Sequence, residues 1–195
     1  TSVIVIDPEN EYKHLCETVG GSFMKIALNS PVHLNPFDLP RKNDEDDPEG
    51  VLRSNIASLI GLLHLMLGAV KPEEDAVLDR AIRETYAIRD ITEKSDFSQL
   101  TAQSYPTMSD LYAVLQNMDG AESLATRLER YTESIFGGFL NKQSNVSLNN
   151  QLVVFNIRDL EEELRPIAMY IILQFMWNEI RTELKKRVIV VDEAW

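Results

Sequence analysis

Arg187-Val-Ile-Val-Val-Asp192-Glu193-Ala194-Trp195 decides the fold. Four apolar residues followed by two acids read as a buried strand whose C-terminal edge carries a pair of carboxylates. Immediately upstream, Pro166 suits the first turn of a long helix that runs to about Lys185. Ile167, Ile171, Phe175 and Ile180 lie along one side of it. Met169, Tyr170, Leu173 and Trp177 widen the apolar surface, so this helix is expected to be broadly buried or to meet a partner. Lys185, Lys186 and Arg187 complement its negative end. Before the helix, Leu152-Val-Val-Phe-Asn156-Ile157 reads as another strand. Strand, helix, strand is a βαβ unit with a right-handed crossover.

The other end of the chain has the same grammar. Val3-Ile-Val-Ile6 is continuously apolar and β-branched, which fits a parallel strand buried on both faces, and Asp7-Pro8 stops it. Glu9 to Thr18 reads as a short helix closed by Gly20-Gly21. Ser22 to Leu28 reads as a second strand, and Asn35-Pro36-Phe37-Asp38 punctuates the chain beyond it. Asp44 to Gly50 is acidic and reads as a solvated linker. From Val51 to Asn141 the pattern is helical. Ile56 to Val70 is strongly apolar but shorter than the ~20 residues of a membrane span, and is read as a core helix. Pro72 with Glu73, Glu74 and Asp75 opens a helix carrying Leu78, Ile82 and Tyr86. Thr107 with Asp110 opens one carrying Leu111, Leu115 and Met118. A fourth carries Leu124, Leu128, Tyr131 and Ile135 and ends at Gly137-Gly138. The expected architecture is α/β with a mainly parallel sheet and an all-α insertion: residues 1–43 and 152–195 form the two parts of the core, and 44–151 the insertion.

Composition narrows the function. The 195 residues are 44% hydrophobic and 26% charged, enough for a sizeable core. Nineteen basic against 31 acidic residues leave a net charge of -12, which argues against a surface built for nucleic-acid phosphates. One cysteine permits no internal disulfide, and His14, His33 and His64 lie too far apart to suggest zinc. No secretory signal opens the chain; beginning and finishing in core strands, it reads as a piece of a longer protein.

The candidate chemistry sits at the strand ends. Open parallel sheets bind ligands at their carboxyl edge. In nucleotide hydrolases the first acid there holds magnesium, usually through water, and the second polarises the attacking water. Asp192 and Glu193 fit those two roles. Asp7 and Glu11 follow a buried strand and reach the same edge if that strand is parallel; Asp7 either orients a ligand or caps the next helix, and capping is the simpler role for it alone. No glycine opens the phosphate-gripping G-x-x-x-x-G-K-[ST] pattern, so tight ATP binding by these residues alone is not expected.

Val-Ile-Asp7-Pro-Glu-Asn-Glu11-Tyr12, Leu34-Asn-Pro-Phe37-Asp38, the helical middle and Val-Ile-Val-Val-Asp192-Glu193-Ala194-Trp195 together resemble the VirB4/TraC family. These are the ATPases of type IV secretion and conjugation, in the HerA/FtsK group of P-loop motors. The resemblance implies a P-loop NTPase-like fold, here incomplete, with ATP and Mg as cofactors. It implies that Asp192 is the Walker B acid on magnesium and Glu193 the catalytic glutamate, and it places Asp7 and Glu11 near the nucleotide. It further implies hexameric assembly, other secretion components as partners, and a cytoplasmic position at the inner membrane. The phosphate loop and the later strands of the family are expected outside these residues. Two other functions stay open: a non-catalytic interaction module of a secretion complex, and a DNA-translocating motor, which the negative charge does not favour.

Overall fold

A computed structural model describes residues 1–40, 48–133, 135–182 and 185–192. Among the described residues four strands form one sheet: β1 (Ser2–Asp7), β2 (Ser22–Lys25), β3 (Leu152–Asn156) and β4 (Arg187–Val191). Their order is β2-β3-β1-β4 and every pairing is parallel. The helix α1 (Lys13–Thr18) joins β1 to β2, and α6 (Arg165–Thr182) joins β3 to β4. Between β2 and β3 come α2 (Pro48–Leu67), α3 (Pro72–Ala87), α4 (Met108–Gln116) and α5 (Glu122–Leu128), with short 3-10 turns among them. The fold is thus the expected P-loop NTPase-like α/β arrangement with helical content.

Strand alternation divides the core in two. Ile4 and Ile6 of β1, with Val153 and Phe155 of β3, point into the large core made with α2 to α6. Val5 and Val154 point the other way and pack with Cys16 of α1. The crossover β1-α1-β2 moves in one direction across the sheet and β3-α6-β4 in the other. Right-handed connections therefore put α1 and α6 on opposite faces.

The helix signals work where local chemistry decides. Pro72 occupies the first turn of α3, where the Lys71 N–H donates to the Glu74 carboxylate at 2.9 Å, and Leu78, Ile82 and Tyr86 are all buried. Thr107 and Asp110 form the expected capping box on α4. Helix α2 has the length and apolarity to cross a membrane over Glu49–Leu67, longer than the sequence pattern suggests, but half of that stretch is buried in the core.

Four expectations are corrected. Residues 9–12 are not helical: the chain turns there with Asn10 at φ 67°, and α1 begins only at Lys13. The strand β2 stops at Lys25 rather than Leu28. The fourth helix is broken, with α5 ending at Leu128 before separate 3-10 turns at Glu129–Tyr131 and Ile135–Gly137. Finally, β4 is not the buried strand expected. Among the described residues it pairs only with β1, so Val188 and Ile189 stay 49% and 43% exposed.

Candidate functional site

Register builds the site. Asp7 stands opposite Asn156, Asn156 opposite Lys25, and Ile6 opposite Val191. The Asp192 N–H donates to the Ile6 carbonyl at 3.2 Å, which sets Asp192 beside Asp7. Lys25, Asn156, Asp7 and Asp192 therefore form one polar row along the carboxyl edge, with neighbouring strands about 4.8 Å apart. Adjacent strands β1 and β3 send their connections to opposite faces, which parts the loops above this row, the place where open α/β sheets take ligands.

Each member of the row has a distinct task. Asp7 is fully buried. Its Oδ1 accepts from the Glu11 N–H at 3.1 Å and its Oδ2 from the Tyr12 N–H at 3.2 Å. Both carboxylate oxygens are spent on the backbone, so Asp7 shapes the loop that leads into α1, close to its expected capping role. Asn156, also buried, donates from Nδ2 to the Asp7 carbonyl at 3.1 Å and locks two strand ends together. Lys25 pairs with Asp159 and holds that carboxyl below the ordinary range. Arg158 donates to the Glu9 carbonyl at 3.4 Å, tying the loop after β3 to the loop after β1. Arg165 turns inward onto the carbonyls of Leu160 and Arg158, at 3.2 and 3.0 Å, and fixes the start of α6.

Asp7 and Asp192 are thus brought together at one edge. Glu11 follows in the loop after β1, its side chain exposed and its N–H held by Asp7. Glu193 lies outside the described residues. Asn156 and Lys25 were missed as site members, although their signal is the one that exposed Asp7: a polar residue ending an apolar strand.

Among the described residues, no group of three or more His, Cys, Asp or Glu stands close enough to hold a metal alone. A magnesium ion bound with a nucleotide needs only one or two carboxylates, the rest of its shell being phosphate and water oxygens. Asp192, a hard oxygen donor at the rim, fits that requirement.

The family model of the TraG P-loop domain matches residues 1–195. Among solved structures, VirB4 of Thermoanaerobacter pseudethanolicus is similar with a TM-score of 0.89 and 27% sequence identity. That match covers 100% of this chain and 75% of the VirB4 chain. The search of curated proteins gave no match. The sequence pattern over the whole chain and the path of its backbone thus lead to one conclusion: the chain belongs to the TraG P-loop domain family and is VirB4/TraC-like.

Proposed function

We propose that this chain is the central part of a type IV secretion or conjugation ATPase, coupling Mg-ATP hydrolysis to substrate transfer or pilus assembly. The observation that carries the reading is the placement of Asp192 beside Asp7 in the polar row of a fully parallel sheet. The family membership and the VirB4 likeness support it.

In this reading Asp192 holds magnesium, mostly through water, and Glu193, the next residue, polarises the attacking water. Magnesium supplies charge neutralisation at the terminal phosphate. Asp7 keeps the loop of residues 8–12 in shape, so that Glu11 is presented at the same rim. The phosphates would be gripped by a G-x-x-x-x-G-K-[ST] loop that these residues do not contain, so the isolated chain is expected to be inactive. Residues 44–151 would act as the helical insertion of a motor that assembles as a hexamer. It would work with other secretion components on the cytoplasmic side of the inner membrane.

The test is ATP hydrolysis by the parent protein carrying its phosphate loop. Glu193→Gln should lower turnover at least ~100-fold while leaving Mg-ATP binding intact, the signature of a lost catalytic group. Asp192→Asn should instead weaken the magnesium dependence of binding. Unchanged turnover in Glu193→Gln refutes the assignment.

A further inference from the structure

The Leu34-Asn35-Pro36-Phe37-Asp38 corner, which the proposed nucleotide edge does not use, builds a second polar centre. It packs against the second half of α6, which runs away from the carboxyl edge toward the start of β4. A cavity of about 500 Å³ opens there, and its lining includes Asp38, Gln174 and Glu179 together with Phe97, Leu100 and Phe175.

The Ser144 hydroxyl serves the Asp38 carboxyl, and several other donors around the cavity are committed elsewhere. Gln174 Nε2 donates to the Pro36 carbonyl at 3.2 Å and to Asn55 Oδ1 at 2.9 Å. Asn178 Nδ2 donates to the Asp38 carbonyl at 3.1 Å, and the Tyr86 hydroxyl donates to the Phe37 carbonyl at 2.8 Å. Rotating the Gln174 amide by half a turn would press its oxygen against the Pro36 carbonyl, so its orientation is fixed. Two acceptors remain buried with no donor among the described residues: Asp38 Oδ1 and Gln174 Oε1. Glu179 adds a carboxylate close enough for its repulsion to act on Asp38. No lysine or arginine is among the described residues that line the cavity.

Unpartnered acceptors and a neighbouring carboxylate in a lining that is partly apolar are costly to leave uncompensated. Their best complement is a guanidinium: planar, weakly hydrated, with several N–H groups in a fixed fork and an aliphatic stem that apolar walls can cover. We propose that this cavity is a socket for an arginine side chain presented by a protein partner. Asp38, Gln174 Oε1 and Glu179 would receive the guanidinium N–H groups, while Phe97, Leu100 and Phe175 cover the stem. The net charge of -12 on the chain favours a basic partner segment in the same way.

The test is an NMR titration of the ¹⁵N-labelled chain with N-acetyl-arginine amide, read on the side-chain amide signals of Gln174 and Asn178. Saturable shifts are expected, absent with N-acetyl-norleucine amide, which has a stem and no charge. Asp38→Asn and Glu179→Gln should each weaken binding about tenfold, as loss of a charge-assisted bond predicts. Glu179 sits on the cavity rim, so Glu179→Gln keeps the test valid even where Asp38→Asn unfolds the chain. Lack of saturation, an equal response to the norleucine compound, or undiminished affinity in Glu179→Gln overturns the proposal.

Discussion

Replacing Asp7 by alanine separates a loop-shaping carboxylate from one that serves a ligand. The native side chain is fully buried and accepts two backbone N–H groups, at 3.1 and 3.2 Å. Alanine leaves both donors without their acceptor. Leaving a buried group unpaired costs ~1–3 kcal/mol each, but the backbone here is reachable by water, since Glu11 is exposed and Tyr12 half-buried, so the lower figure applies to each. The total is about 2 kcal/mol, equivalent to a fall in Tm of ~4–8 °C for a chain of this size. Asparagine keeps the shape and one acceptor and should cost about half as much. Thermal denaturation followed by circular dichroism gives the Tm, and hydrogen exchange locates the effect: the Glu11 and Tyr12 amides should lose protection first. An Asp7→Ala chain that melts within ~1 °C of the wild type, with unchanged exchange at those amides, would refute the reasoning.

Three further outcomes are expected. Tyr86→Phe removes a buried hydroxyl that donates to the Phe37 carbonyl and accepts from Asn55 Nδ2 at 2.6 Å. It should lower stability by about 2 kcal/mol in urea denaturation. A Cβ on Gly138 would meet the Leu28 carbonyl oxygen at 1.8 Å, a backbone atom that cannot swing aside. Gly138→Ala should therefore cost more than ~3 kcal/mol or abolish cooperative melting. Burial, opposed by the Ser144 hydroxyl and reinforced by Glu179, raises the Asp38 carboxyl to about 7. The folded chain then binds this proton more tightly than the unfolded one, so the contribution is complete below about pH 4 and is lost as pH rises toward about 7. Urea midpoints should show the wild type losing stability against Asp38→Asn over that window; the opposite slope would refute the assignment.

The parts of the fold that could be read from the sequence are those decided within a few residues. Leu78, Ile82 and Tyr86 share one helix face, and Pro72 and Thr107 mark helix starts, because spacing and capping are local properties. Two misreadings have one cause in common: the deciding partner is not a neighbour of the right kind. Glu9 to Tyr12 has the composition of a helix start, but the Asp7 carboxylate captures the N–H groups of Glu11 and Tyr12 and holds an irregular turn instead. Val188 and Ile189 are apolar enough for a central strand, yet an apolar run states only what a strand tolerates, and β4 has β1 on one side alone among the described residues. The corner at Asp38 lay further out of reach. Its character depends on Gln174, which meets the Pro36 carbonyl across a separation of 138 residues.

The polar row gives its inner and outer positions different surroundings. Each strand ends its apolar run at the same level, so four polar side chains are delivered to one edge by register alone. Central positions in such a row are surrounded by strand-end N–H and C=O groups that need partners, and Asp7 and Asn156, both buried, are consumed in meeting that need. The outer positions are more exposed. Lys25 at one side reaches out to an acid in the next loop, and Asp192 at the other side is only half-buried. A carboxylate that must meet a metal and a phosphate needs that partial exposure. In the proposed mechanism the inner acid builds the rim, and the half-exposed outer one would be the acid that meets magnesium.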